Sequence, residues 1–176
     1  MPTATLDLEG CRARAIQFVI DAYDGVPTRP GKGLPHAQAV ADVLRSAGSD
    51  DRTQIAALLH DVVEDTPRTV DDVRAAFGDD IARMVDALTE DASVKRYAQR
   101  KRLLRSRIVA AGAAVLDISL ADKIATLRHA LVTGTGVSRR KVAHYRATLQ
   151  LGLAGGGTEL LCTWLDDLLS ALERRG

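Results

Sequence analysis

The chain has 176 residues, a formal net charge of +1 at pH 7, 46% hydrophobic residues and 3% aromatic residues. This length is typical of one domain with a sizeable core, and the small net charge provides no field that would attract nucleic acid or a membrane. No apolar run reaches the ~18 residues of a membrane span, no signal-peptide pattern is present and the two cysteines lack metal-type spacing, so we expect a cytoplasmic protein with reduced thiols.

Aliphatic residues and alanine recur with helical periodicity, and no segment alternates as a β-strand would. Capping patterns mark helix ends: Asp51 with Gln54 resembles a cap, Thr69 starts a short helix, and Pro67 ends the helix before it. The fold class is therefore predicted to be all-α, a helical bundle, with residues 137–176 packing on the core or forming an oligomer contact. The predicted helices cover about 10–23, 35–48, 54–64, 69–78, 79–90, 94–111, 113–132, 138–153 and 159–175.

Four polar residues interrupt segments that are otherwise patterned for burial: His36, the adjacent pair His60 and Asp61, and Asp122. A single buried histidine or aspartate is more often a hydrogen-bonded core residue than a ligand. Four together favour the other interpretation, because an unpaired buried carboxylate costs several kcal/mol and a divalent cation would satisfy the whole set. A mixed set of imidazole and carboxylate donors of roughly octahedral type points to Mn²⁺.

The motifs that surround these residues occur in a fixed order. They are LLHDVVEDT at 58–66, AAFGDDIARMVDALTED at 75–91, Arg100-Lys101, and SLADKIATLR at 119–128. In this order the sequence resembles the HD-domain metal-dependent phosphohydrolases, and within them the RelA/SpoT-type alarmone hydrolases. The resemblance covers about residues 34–131 and implies an HD-domain helical bundle that binds a divalent metal through the four residues.

The resemblance also implies an activity, the hydrolysis of a phosphate ester, with a 3′-diphosphate of a guanosine nucleotide as the suggested substrate and pyrophosphate as a product. Glu64 lies four residues after His60, and Asp65 lies four after Asp61, so both acids fall beside the metal residues. The matching acids of the family position or deprotonate the attacking water. The other interpretation of these two acids is a solvated helix end.

Basic residues are the candidates for phosphate binding. The segment 95–107 carries seven Lys or Arg, of which most are interpreted as a solvated helix face. His129 and His144 fit no motif and are interpreted as structural or surface residues, and Tyr97 is interpreted as packing, with base stacking as the alternative. The predicted substrate-binding residues are Arg29, Lys32, Arg100, Lys101, Lys123, Thr126 and Arg128.

The chain departs from the family where nucleotides are recognised. Pro27-Thr28 stands where the family usually has Arg-Lys, and Thr126 stands where it has Asn. The family also usually has Pro-Tyr before its first histidine, and this chain has GKGLPH. If the changed positions bind the nucleotide in the family, this chain should hydrolyse alarmones more weakly than some other phosphate ester. Another nucleotide, a small phosphoester, or a nucleotide-sensing module without turnover therefore stay open as alternatives.

Overall fold

The computed structural model describes residues 8–28 and 31–174. Within these ranges all regular structure is helical and no residue forms a strand, so the predicted all-α class is confirmed. No described helix is long and apolar enough to cross a lipid bilayer. The helices are α1 (Leu8–Tyr23), α2 (Leu34–Ser46), α3 (Asp51–Leu59), α4 (Val62–Asp65), α5 (Val70–Phe77), α6 (Asp79–Leu88), α7 (Tyr97–Ala111), α8 (Ala113–Thr133), α9 (Arg139–Leu151) and α10 (Glu159–Glu173), with a π-helical turn at Gly152–Gly156.

Helix α8 is the centre of the bundle. Its apolar side chains lie on nearly every face, and it packs against α2, α3, α6, α7, α9 and α10. Ile118, Leu120, Ile124 and Leu127 on this helix are fully buried. A helix that is hydrophobic all round is stable only when neighbours cover it. Any polar residue in the middle of α8 is therefore held inside the protein by the packing around it.

The predicted helix over 54–64 is wrong in one important detail. α3 ends at Leu59, His60 and Asp61 form a turn, and a four-residue helix, α4, follows. The backbone N–H of His60 reaches the Ala57 carbonyl at 3.5 Å, three residues back, so the last turn tightens before the chain continues. The cap also differs from the prediction, because the carboxylate that accepts the Thr53 N–H at 2.7 Å belongs to Asp50 and not to Asp51.

Two other predicted helix starts can be compared with the structure. Thr69 caps α5, and its side chain and that of Asp72 form a reciprocal capping box, as expected. Helix α7 begins at Tyr97, three residues later than predicted, because a turn precedes it. In that turn the Asp91 carboxylate accepts the Ser93 N–H at 2.9 Å, and the Asp91 carbonyl accepts the Val94 N–H at 3.1 Å.

The glycine run between α9 and α10 allows a close approach to α8. A Cβ atom on Gly157 would lie 2.7 Å from Leu120 Cδ1 and 3.1 Å from Gly152 Cα, so a larger residue would displace the buried Leu120 side chain. The Asp117 carboxylate of α8 then accepts the Thr158 N–H at 2.8 Å and the Thr158 hydroxyl at 2.6 Å. These bonds fix the chain just before α10, which buries Leu161 and Leu165 and packs on α8 and α9.

Candidate active site

Two histidines and one aspartate from three different segments converge at the middle of α8. His36 comes from the first turn of α2, His60 from the turn after α3, and Asp122 from α8. His36 Nε2 lies 3.0 Å from Asp122 Oδ1, and His60 Nε2 lies 4.0 Å from the same oxygen. Each residue offers one ligand atom within 4.8 Å of the others. Three of the four predicted metal residues are therefore brought together by tertiary packing.

The imidazole of His60 is oriented by its own helix. Its Nδ1 lies 2.6 Å from the Ala57 carbonyl oxygen, and a carbonyl oxygen can only accept, so Nδ1 carries the hydrogen. In the neutral ring Nε2 is then the atom with the free lone pair. Nε2 is buried and has no hydrogen-bond partner in the described part of the chain. A buried acceptor directed at a carboxylate is the arrangement expected of a metal ligand with a fixed tautomer.

Asp61 lies at the edge of this group. Its Oδ1 is 3.3 Å from His60 Nε2, and its Oδ2 is 4.0 Å from His36 Nε2. Oδ2 also accepts a hydrogen bond from Lys32 Nζ at 2.5 Å. Asp61 is not part of the set of mutually close ligand atoms, so it is the most peripheral of the four predicted metal residues.

Each carboxylate of the site has a lysine beside it. Lys123 Nζ donates to Asp122 Oδ2 at 2.8 Å, as Lys32 does to Asp61. Burial alone would raise the pKa of Asp122, but Lys123 and the hydrogen bond from His36 hold that pKa well below its usual range. Burial likewise opposes the charge on Lys32, yet Asp61 and Asp122 raise its pKa. The site therefore keeps both carboxylates ionised, the form in which they bind metals.

Glu64 and Asp65, the predicted catalytic acids, are in different surroundings. Glu64 is solvent-exposed where it lines the cavity beside His60, Asp61 and Asp122, but the protein around it removes part of its hydration, and this desolvation, with the charge of Glu90, raises its pKa. One carboxylate oxygen of Glu64, Oε2, accepts the Glu90 N–H at 3.1 Å. Asp65 is not among the residues that line the cavity. Its Oδ2 accepts the Tyr23 hydroxyl at 3.3 Å and lies 3.6 Å from Lys32 Nζ.

A cavity of about 380 Å³ opens beside the metal residues. Its wall contains His60, Asp61 and Asp122 together with Glu64 and Glu90. Four of the predicted substrate-binding residues also line it: Lys32, Lys101, Lys123 and Thr126.

Two described residues that were predicted to bind substrate, Arg100 and Arg128, are not among those that line the cavity. Arg128 is exposed and stacks over the Trp164 ring at 5.3 Å, so it joins α8 to α10. Arg100 binds Glu90 Oε2 at 2.5 Å and the Val94 carbonyl at 2.9 Å, which stabilises the turn before α7. Arg29 lies outside the described residues.

The cavity wall also contains Tyr97, Ser119, His144 and Tyr145, which are not among the predicted site residues. His144, interpreted from the sequence as structural or surface, is 5% exposed and lines the cavity. The signal that could have found His144 and Tyr145 is the apolar stripe of α9, which places both residues on its buried face.

Comparison with known proteins identifies the family to which this arrangement belongs. An HD-domain family model matches residues 15–151. The chain belongs to the HD-domain family. Human MESH1, named as a guanosine-3′,5′-bis(diphosphate) 3′-pyrophosphohydrolase, is 35% identical to this HD domain over 133 residues, which is 72% of this chain and 74% of the human protein.

Two further relatives match different shares of this chain. A probable GTP pyrophosphokinase of Mycobacterium leprae is 38% identical over 98 residues, which is 54% of this chain but only 12% of that protein. A solved structure described as a metazoan ortholog of SpoT that hydrolyzes ppGpp superposes on this HD domain with a TM-score of 0.77 and 27% identity, covering 100% of this chain and 98% of the other.

The neutral state of His144 should make the fold sensitive to mild acid. Burial, followed by the charges of Lys123, Lys101 and Arg105, lowers the pKa of His144 to about 2, with Asp122 opposing. The unfolded imidazole titrates near pH 6.5, so below that pH only the unfolded chain takes up the proton, and stability falls as the pH falls. Between pH 8 and pH 5 we expect the wild type to lose about 2 kcal/mol of unfolding free energy relative to His144→Gln, measured by urea denaturation.

The matched control is the exposed His129. A His129→Gln variant, which removes an exposed imidazole, should keep a constant offset from the wild type over the same pH range. A constant offset for His144→Gln as well would contradict a buried neutral His144.

Proposed function

We propose that the chain is a metal-dependent phosphohydrolase that removes pyrophosphate from the 3′ position of guanosine 3′,5′-bis(diphosphate). The observation that carries the proposal is the buried His60 Nε2, which has no hydrogen-bond partner among the described residues and lies 3.3 Å from Asp61 Oδ1 and 4.0 Å from Asp122 Oδ1. Support for the substrate comes from the relatives, since human MESH1 is named for this reaction. The structure that superposes on the chain is described as hydrolyzing the same nucleotide.

In this proposal His36, His60, Asp61 and Asp122 hold one divalent cation. Two imidazole nitrogens and two carboxylate oxygens form a mixed donor set of the kind that suits Mn²⁺. Asp61 would bind through Oδ1, the oxygen that faces His60, because its Oδ2 already accepts from Lys32. A cation held there supplies Lewis acidity towards water and a phosphoryl oxygen.

The two acids act on the water and its proton. Glu64 has one oxygen, Oε1, outside its bond to the Glu90 N–H, and its raised pKa suits a group that accepts a proton from water. Asp65 contacts Lys32 and Tyr23, so we assign it to orienting this edge of the site as well as to proton transfer. The water oxygen forms a bond to the phosphorus on the 3′ oxygen, the bond from that phosphorus to the ribose oxygen breaks, and the ribose oxygen takes a proton.

The cavity lysines and Thr126 are assigned to substrate binding. Lys32, Lys101 and Lys123 place ammonium groups on the wall of the cavity, where they would offset phosphate charge. Lys101 is held by Glu90, Lys123 by Asp122 and Lys32 by Asp61, so all three ammonium groups are positioned before substrate arrives. We include Arg100 and Arg128 in this assignment only as contributors to the positive surface, because neither is among the described residues that line the cavity. Arg29, outside the described residues, keeps its proposed role in substrate binding.

Turnover of defined substrates tests the proposed reaction. The Mn²⁺-loaded protein should release pyrophosphate from guanosine 3′,5′-bis(diphosphate) faster than it cleaves deoxynucleotides, cyclic nucleotides or p-nitrophenyl phosphate. Phosphate-release and chromatographic assays on one preparation would give the ratios. Selective turnover of another phosphoester would overturn the substrate and support the alternative that Thr126 suggests. No turnover of any of these substrates would support a sensing module.

Metal binding by the four residues can be measured without a substrate. Purified protein should bind about one Mn²⁺ per chain, and the ion should raise the melting temperature because only the folded state binds it. His60→Ala and Asp61→Ala should each abolish the bound metal and the thermal shift in elemental analysis and thermal denaturation. His129→Ala, which removes an exposed imidazole of the same cavity wall, should retain both. Full metal content in both site variants would show that the site is misassigned.

The roles of the two acids are separated from metal binding by isosteric amides. Glu64→Gln and Asp65→Asn keep the shape of the side chain but remove the base, so turnover should fall ~10²-fold or more while metal content and melting temperature stay near the wild type. Glu9→Gln, at an exposed acid on α1, is the matched control and should keep full activity. Full activity in both variants would make the acids a solvated helix end, whereas loss of metal would make one of them a ligand.

A further inference from the structure

Four buried side-chain atoms have no hydrogen-bond partner among the described residues, and all four belong to residues of the same cavity wall. They are His60 Nε2, Tyr97 Oη, Ser119 Oγ and His144 Nε2. Unsatisfied buried polar groups are rare, so a cluster of them in one cavity indicates a ligand. The metal accounts for His60. The other three atoms are not used by the proposed metal or by the two acids.

His144 is a hydrogen-bond donor at its unpartnered nitrogen. Its Nδ1 lies 2.8 Å from Arg105 Nη1, and a guanidinium can only donate, so Nδ1 is the acceptor. The hydrogen of the neutral ring is then on Nε2. Burial and the nearby cations lower the pKa of His144, so the ring stays neutral with this arrangement at physiological pH. His144 therefore has the opposite polarity to His60, whose Nε2 can only accept.

Positive charge surrounds these donors. The Tyr97 ring is faced by Arg140 at 5.1 Å and by Lys101 at 5.7 Å. Lys123, the lysine that binds Asp122, lines the same cavity as Tyr97 and His144. Across the described residues, no carboxylate forms an ion pair with Arg105, Arg140 or Lys141. Two of these unpaired cations contact the donors directly, because Arg105 bonds to His144 and Arg140 faces the Tyr97 ring, and Lys141 lines the same cavity.

We propose that Tyr97, Ser119 and His144 form a donor pocket that binds a second phosphoryl group of the substrate, one that is not attacked at the metal. The proposal rests on the proposed phosphohydrolase function and adds the means by which the site selects a diphosphate over a monophosphate. Phosphate oxygens only accept hydrogen bonds, which matches two hydroxyls and an N–H set among cations. The group is either the terminal phosphate of the 3′-diphosphate or a phosphate of the 5′-diphosphate.

Binding of three probes distinguishes these sources. Pyrophosphate, guanosine 5′-diphosphate and guanosine are titrated into Mn²⁺-loaded protein by calorimetry at one fixed concentration of free metal, so that chelation is equal in every titration. The variants are Tyr97→Phe, Ser119→Ala and His144→Phe, each of which removes one donor. His144→Gln, which can still donate, tests rescue. The control is Ser106→Ala, which removes an exposed hydroxyl from the same helix as Tyr97.

We expect each donor deletion to weaken the affinity for pyrophosphate about ten-fold, since the lost bond is to a charged group. His144→Gln should recover part of the affinity, and Ser106→Ala should leave it unchanged. The ratio of kcat/KM for a 3′-diphosphate over a 3′-monophosphate should fall by a similar factor. If the deletions weaken guanosine 5′-diphosphate and not pyrophosphate, the pocket binds the 5′ phosphates.

The proposal is overturned if all three deletions leave both phosphate ligands unaffected, or if they weaken guanosine alone. Tyr97→Phe and Ser119→Ala decide the matter if His144→Phe does not fold. Failure here is separable from failure of the enzyme assignment. An inactive wild type whose pyrophosphate binding still depends on the donors retains the pocket, and an active enzyme whose phosphate binding is indifferent to them loses only the pocket.

Discussion

The hydrogen bond from His60 Nδ1 to the Ala57 carbonyl is the constraint on which the site depends. It forms only because α3 tightens and ends at Leu59, so that the carbonyl three residues back and the imidazole meet at 2.6 Å. One contact then sets both the tautomer of the ring and the direction of Nε2. A regular helix through this point would have continued the backbone ladder and turned Asp61 about 100° away from His60. The turn places both side chains at the same edge of the cavity.

The second determinant is the burial of charge in a helix that is otherwise apolar. Asp122 stands among Ile118, Ala121 and Ala125 of α8, where an unpaired carboxylate would be strongly unfavourable. Lys123 and His36 stabilise it from two sides. Buried pairs of this kind contribute little to net stability, because desolvation cancels most of the attraction. Their value here is positional: the carboxylate is ionised, and its Oδ1 faces both imidazoles.

The two buried histidines of the cavity differ in which ring nitrogen carries the hydrogen, because each has a different hydrogen-bond partner at Nδ1. A carbonyl oxygen makes His60 an acceptor at Nε2, and the guanidinium of Arg105 makes His144 a donor there. A cation suits the first nitrogen and a phosphate oxygen suits the second. Two residues of the same type within one cavity therefore have opposite hydrogen-bonding character at Nε2, because different groups contact their Nδ1 atoms. Glu64, whose raised pKa follows from desolvation and Glu90, lies on the same wall.

The sequence by itself determined the fold class and drew attention to the residues that converge. Helical periodicity, caps such as Thr69 and the absence of alternating segments are local properties, so they can be read without the fold. His36, His60 and Asp122 were visible because each is polar in a segment patterned for burial. The order of the motifs pointed to the HD domain, which the family match confirms.

Only the tertiary structure decided which basic residues reach the cavity and how each ring is polarised. Arg128 follows Asp122 closely in the sequence. Its guanidinium nevertheless stacks on the ring of Trp164 in α10, a residue 36 positions further along the chain. His144 receives its partner from Arg105, which is 39 residues away. Such contacts depend on how helices pack, and no local pattern records them. The break at His60 was not predicted either: the sequence pattern is compatible with a continuous helix, and the turn lies where α3 packs against α2 and α8.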